Sequence, residues 1–490
     1  MLFNSYGFLG FFPVVCIFYY FIPIRFRYLF LLAASLFFYM CWNPKYVLLL
    51  LTSISITYLS GLLIEGTENI GRKKLFVWLS FLSNLGILFF FKYFNFAAAS
   101  LSRALQLIHL QPLNLSFDVL LPVGISFYTF QALSYTVDVF RGEIRAERNY
   151  FRYALYVSFF PQLVAGPIER SKNLLSQINA PRKLDWERVQ SGLIQMLYGY
   201  FQKVMISDNA AVIVDQVYDN FHSYGSVELV LATLLFAVQI YCDFGGYSNI
   251  AIGAARILGF DLMDNFNAPY LSMSVAEFWR RWHVSLSSWF RDYVYIPLGG
   301  NRKGRIRKYV NLIIVFFASG LWHGASWHFV AWGVINGFYQ IAGEVLTPAR
   351  SYFMKLLHID PNSFSRKVRK TVLTFLLISF SWIFFRASGI HQAFEIIGRI
   401  WNDPDLWVLT DGSLFQLGLR SGQFHVLEAS ILVMGLVDLC KSRGIRLVSF
   451  LQKQECWFRW GICLLLLLWI LIYGRYGAGF DESQFIYFQF

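Results

Sequence analysis

The chain has 490 residues, of which 57% are hydrophobic and 19% aromatic, while only 14% are charged. That balance excludes a soluble globular protein and reads as a multi-span membrane protein embedded in a lipid bilayer. Its 42 Lys and Arg outnumber 29 Asp and Glu to give +13, but they fall in short loops between apolar runs. There they report orientation and carry no signal for nucleic acid.

In chain order, the apolar run from Phe8 to Ile24 precedes Arg25 and Arg27 and lacks a basic segment before it. It reads as a retained first span with the N-terminus outside. Tyr28 to Cys41 returns outward, and Tyr46 to Ile64 comes back to a loop with Arg72, Lys73 and Lys74. Leu75 to Phe91 exits, a mixed segment to Asp118 stays outside or in the interface, and Val119 to Val139 re-enters. Tyr153 to Ala165 is too short to span comfortably and ends in Gly166-Pro167, so a re-entrant or tilted segment is expected. Gly192 to Ile206 crosses outward, and Ser207 to Glu228, with acids but no Lys or Arg, reads as an outer loop. Leu229 to Tyr247 returns inward carrying Asp243, either a buried structural partner or part of a site, and Gly245-Gly246 suggests close packing or a bend.

From Phe278 to Lys308 the chain is basic and aromatic, with Arg280, Arg281, Arg302 and Lys303 interleaved with Trp279, Trp282 and Trp289. Two compatible readings stand: an interfacial anchor, and a docking surface for an anionic donor such as a coenzyme A phosphate or an acidic carrier protein. The next apolar stretch, Val310 to Val345, is broken at Trp322-His323-Gly324-Ala325. Its first arm of about 13 residues is roughly 20 Å of helix against a hydrocarbon core of about 30 Å, so the turn lies at membrane depth. An imidazole there is a functional-site hypothesis, either as a base working near neutral pH or as a hydrogen-bonding link between helices. Spans at Val372 to Phe385, Val426 to Leu439 and Trp457 to Tyr473 complete about 11 to 12 crossings, with both termini outside. The six cysteines are scattered without CxxC or metal-ligand spacing, so neither a disulfide framework nor a metal site is indicated. The absence of any repeat disfavours a transporter built from paired halves.

Five stretches carry a family resemblance: LPVGISFYTFQALSYTVDVFRGE (121–143), FFPQLVAGPIER (159–170), YCDFGGYSNIAIG (241–253), EFWRRWHVSLSSWFRDYVYIPLGGNRKG (277–304) and GLWHGASWHFVAWG (320–333). They resemble the membrane-bound O-acyltransferases, in the bacterial branch of alginate O-acetylation, peptidoglycan O-acetylation and D-alanyl transfer to teichoic acid. The resemblance implies an all-α ring of membrane helices and re-entrant segments around a tunnel. It also implies an acyl donor arriving from the cytoplasm, and His323 as the catalytic histidine. His283 would be the second motif histidine, orienting the site or gating donor entry; His328 matches no family role and is expected to be structural.

The ending FIYFQF, residues 485–490, resembles the terminal motif of the alginate-type proteins, which makes Tyr487 a candidate acyl acceptor. A phenol with pKa near 10 beside a thiol of about 8.5 means that an aryl ester keeps much of a thioester's transfer potential. The alternative is an aromatic interfacial anchor. The organisation expected is a membrane core over 1–440 and a C-terminal helix with an outward aromatic tail over 441–490. The function expected is transfer of acetyl groups from acetyl-CoA across the cell membrane to a secreted or periplasmic polysaccharide O-acetyltransferase. The rival readings are D-alanyl transfer to teichoic acid and, from another class, a lipid or polysaccharide transporter.

Overall fold

The computed structural model describes residues 1–112, 115–117, 121–476 and 486. The described residues form helices and connecting turns, and six helices are long and apolar enough to cross a membrane. These are Tyr46–Glu65, Ile70–Leu107, Ser226–Ile257, Phe364–Arg386, Ser421–Ser442 and Cys456–Tyr473, with a shorter apolar helix at Tyr6–Phe21. The chain is therefore an all-α, multi-pass membrane protein. It divides into two compact units, Met1–Leu193 with Ala251–Met263, and Ile194–Ile250 with Asp264–Phe490.

In the first unit, polar side chains link helices across apolar faces. Ser53 donates to Asn84 at 2.5 Å, and Tyr153 donates its hydroxyl to Thr57 at 2.7 Å. The Ser80 and Thr136 hydroxyls hydrogen-bond to each other at 3.2 Å. Such bonds matter where no water competes for the groups. Asparagines cap two helix starts: Asn69 accepts from the N–H groups of Gly71 and Arg72, and Asn149 from those of Phe151 and Arg152. The helix Tyr150–Ser158 has 9 residues, roughly 14 Å, well short of a crossing. It breaks before Phe160–Leu163, whose second residue is Pro161.

Two segments differ from the sequence expectation. The mixed stretch after Phe91 continues the preceding span through a π turn, Phe89–Tyr93, into a helix at Phe94–Leu107. Beyond it, Asp118 and Val119 lie outside the described residues. Within the second unit, the expected outer loop from Ser207 is helical over Asp208–Asp219. Its Ala210, Ile213, Val214 and Val217 recur at helical spacing and are buried, a periodicity outweighed by the acids when read as a loop. The segment from Asp208 to Glu228 meets the one that follows the Phe364–Arg386 helix: Arg386 pairs with Asp215 at 2.7 Å, and the carboxylate of Asp405 accepts from the Val227 N–H at 2.9 Å.

Of the Ser226–Ile257 helix, 72% of the apolar window is buried, against 6% for Cys456–Tyr473, so the former is a strut enclosed by protein and the latter leaves its apolar side chains uncovered. Close packing at the strut uses the expected glycines. A Cβ on Gly246 would meet the carbonyl oxygen of Gly199 at 2.7 Å, so the two helices touch backbone to backbone.

Candidate active site

All of the following side chains belong to the second unit. The apolar stretch that the sequence breaks at residue 323 is a helical hairpin, Arg305–His323 and Trp327–Val345. His323 is the last residue of the first arm and is 3% exposed. The arms approach so closely that a Cβ on Gly320 would collide with the carbonyl oxygen of Phe329, and one on Gly333 with that of Phe316. Gly324 similarly leaves room for the Phe329 ring, which fixes why glycine follows the histidine. Around the His323 imidazole stand Trp322, Trp332 and Phe385, with ring centroids at 4.9, 5.0 and 5.4 Å. Such walls exclude water and strengthen any electrostatic effect inside them.

His283 comes from a different element, the corner between the short helices Val275–Arg281 and Val284–Phe290. Its ring centroid lies 6.4 Å from that of His323, and it is 1% exposed. The backbone at His283 is left-handed, φ 44° and ψ 53°, which costs a non-glycine residue roughly 1–2 kcal/mol. Asn265 holds the strained corner. Its carbonyl oxygen accepts from the Val284 N–H at 2.9 Å, and its Oδ1 accepts from Ser285 N–H at 3.2 Å and Oγ–H at 2.8 Å. The Ser285 hydroxyl, its proton so directed, turns its lone pairs toward His283 Nδ1 at 3.5 Å. Trp279 ties the same corner to the hairpin by donating to Asn336 at 3.2 Å.

His328 donates from Nδ1 to the carbonyl oxygen of Phe384 at 2.9 Å, because a carbonyl can only accept. It links the hairpin to the Phe364–Arg386 helix. Of the basic candidates, Arg281 pairs with Glu277 at 2.6 Å, while Arg280, Arg302 and Lys303 are exposed. Tyr487 lies outside the described residues, and Ile486 is the described member of its motif.

A buried ion cluster completes the surroundings. Lys203 sits in a π-helical segment, Phe201–Ser207, and its ammonium contacts Asp208 at 2.8 Å and Asp243 at 2.6 Å. The other oxygen of Asp243 accepts the backbone N–H of Ile486 at 2.8 Å. Phe244, the next residue after Asp243, lays its ring 4.6 Å from that of His283. Sequence reasoning missed Asn265, Lys203 and Asp208. For Lys203 a signal existed, since a lysine inside the apolar run FQKVMIS demands a partner; Asn265 carried none.

Residues 77–385 match the family described as MBOAT, membrane-bound O-acyltransferase. A probable alginate O-acetylase of Pseudomonas syringae is 37% identical over 90% of this chain and 83% of its own length. A peptidoglycan O-acetyltransferase of Helicobacter pylori is 32% identical over 94% of this chain and 91% of its own. The teichoic acid D-alanyltransferase of Bacillus subtilis is more distant, 23% identical over 58% of this chain. With the profile covering the histidine hairpin and relatives aligned along nine-tenths of the sequence, the chain belongs to the membrane-bound O-acyltransferase family.

Proposed function

We propose that the chain is a membrane O-acetyltransferase that relays acetyl groups from a cytoplasmic thioester, acetyl-CoA, across the cell membrane for O-acetylation of an envelope or secreted polysaccharide. Tyr487 is the acceptor on the chain and His323 its general base. The imidazole takes the phenol proton, the phenolate oxygen forms a bond to the thioester carbonyl, and the carbon–sulfur bond breaks. The leaving thiolate takes the proton back from the imidazolium, so the products are an acetyl-tyrosine ester and free thiol. A base is needed because only about one free tyrosine in a thousand is ionised at neutral pH. His283 orients the site beside His323, and Arg280, Arg281, Arg302 and Lys303 form the basic approach for the anionic donor. The ester is then taken by a separate secreted or periplasmic O-acetyltransferase, which modifies the polysaccharide. Both termini face outward in this reading.

The observation that carries the relay is the bond from the Ile486 N–H to Asp243, whose chain neighbour Phe244 packs on His283. It ties the residue before Tyr487 to the helix that packs on His283. The names of the relatives at 37% and 32% identity support acetyl as the group transferred.

The test is mass spectrometry of the C-terminal peptide after purified protein meets isotopically labelled acetyl-CoA. Label on Tyr487 in the wild type, absent from His323→Ala and Tyr487→Phe, is the expected result. Transfer to polymer with Tyr487→Phe as fast as wild type would remove the tyrosine from the pathway. Substrate movement without any acyl transfer would favour a transporter.

A further inference from the structure

Four arginines of the first unit surround a cavity of about 140 Å3: Arg25, Arg27, Arg152 and Arg182. No Asp or Glu lines it, and among the described residues none of the four forms an ion pair with a carboxylate. Acids of the same unit are engaged elsewhere. Asp261 pairs with Arg188 at 2.8 Å, and Glu147 accepts from Asn179 at 2.9 Å.

The guanidinium groups are fixed in place without being neutralised. Each lies over an aromatic ring: Arg25 over Phe26 at 4.7 Å, Arg27 over Tyr19 at 5.1 Å, Arg152 over Tyr28 at 5.2 Å and Arg182 over Phe260 at 5.6 Å. Arg27 donates to three backbone carbonyls, those of Ile22, Tyr20 and Arg182, which locks the Arg25 turn against the 180–182 turn. Arg182 donates to the carbonyl of Gln177. Arg152 keeps a buried Nε–H with no hydrogen-bond acceptor. Ring faces and carbonyls hold cations in position but leave four positive charges facing one cavity, an arrangement that an anion with several acceptor oxygens satisfies. The space equals roughly five waters at about 30 Å3 each, which suits a single phosphate group.

We propose that this cavity is a phosphate-binding site, taking a phosphate monoester or diester on the side of the protein that the basic loops assign to the cytoplasm. The same chemistry is presented by the headgroup of an anionic phospholipid and by a soluble phosphate ester. The proposal is independent of the acetyl relay and stands or falls by binding alone.

The experiment measures thermal unfolding of the full chain, first in nonionic detergent with adenosine 3',5'-diphosphate against sodium chloride of equal ionic strength. It is then repeated in phosphatidylcholine nanodiscs with and without phosphatidylglycerol. The comparison variant is Arg25→Gln with Arg152→Gln, which removes two charges but no side-chain hydrogen bond of either arginine; Arg25→Gln alone serves if the double variant fails to fold. A saturable rise in melting temperature with either probe, weakened about tenfold or more in the variant, is the expected result. A response to the bisphosphate alone identifies a soluble ester, and one to phosphatidylglycerol alone a lipid headgroup. If neither probe exceeds its control, or the variant responds as the wild type does, the site is not a phosphate site.

Discussion

Replacing Asp243 tests how the chain end is held. Its side chain is 1% exposed and bridges Lys203 through one oxygen and the Ile486 N–H through the other. In Asp243→Ala, Lys203 keeps Asp208, so the buried ammonium is still neutralised at 2.8 Å. The amide of Ile486, a residue 3% exposed, loses its acceptor. A buried donor left unsatisfied costs about 1–3 kcal/mol, a factor of about 5 to 150 in the equilibrium between docked and released states. Asp243→Asn can keep an acceptor oxygen toward Ile486 only by turning its NH2 toward the Lys203 ammonium, so it is expected to fall between wild type and Asp243→Ala. Hydrogen exchange read at the Ile486 amide by fragmentation mass spectrometry reports that equilibrium directly. Exchange in Asp243→Ala should therefore accelerate by about 5- to 150-fold. Unchanged exchange in the alanine variant would refute the reasoning, and equal acceleration in both variants would assign the effect to charge in place of the acceptor.

Other consequences are as concrete. His323→Ala should lower acyl transfer by about 100- to 10,000-fold, the usual range for a lost general base, while the unfolding transition stays near wild type; a variant retaining most of its activity would exclude that role. Asn265→Ala frees the strained corner at His283 and leaves the Ser285 N–H without its acceptor. We expect a loss of about 1–3 kcal/mol in unfolding free energy and a fall in kcat larger than any change in KM, read by denaturation and steady-state kinetics. Gly320→Ala drives a methyl group into the Phe329 carbonyl, which cannot swing aside, and should cost about 1–3 kcal/mol by overpacking. Full activity and stability there would show that the hairpin arms separate easily. Lys203→Met strands two buried carboxylates and should cost about 3–5 kcal/mol, with Lys203→Met combined with Asp208→Asn recovering part of it.

Much of the site's first half is local and was legible as a string. An apolar stretch interrupted by Trp-His-Gly-Ala can only be two helical arms and a turn, because backbone groups in hydrocarbon must bond within their own segment. Gly245-Gly246 announced a close approach for the same reason, since only small residues let membrane helices touch. The helical stretch Asp208–Asp219 was equally local, but its acids masked its apolar spacing.

By itself, the sequence determined that the protein lives in a membrane, that it is helical and that His323 stands at a break inside apolar structure; the lysine in FQKVMIS carried a further signal, missed in the sequence reading, that acids lie beside it. Which partners they find is a long-range matter. His283 meets His323 from 40 positions away because Asn265 pins its corner and Trp279 ties that corner to the hairpin. Asp243, Asp208 and Ile486 converge from three parts of the chain, as do the four arginines of the empty-walled cavity. Burial makes an unpaired charge or amide costly and so guarantees that a partner exists. Only the tertiary structure, by deciding which helix faces pack, chooses which one.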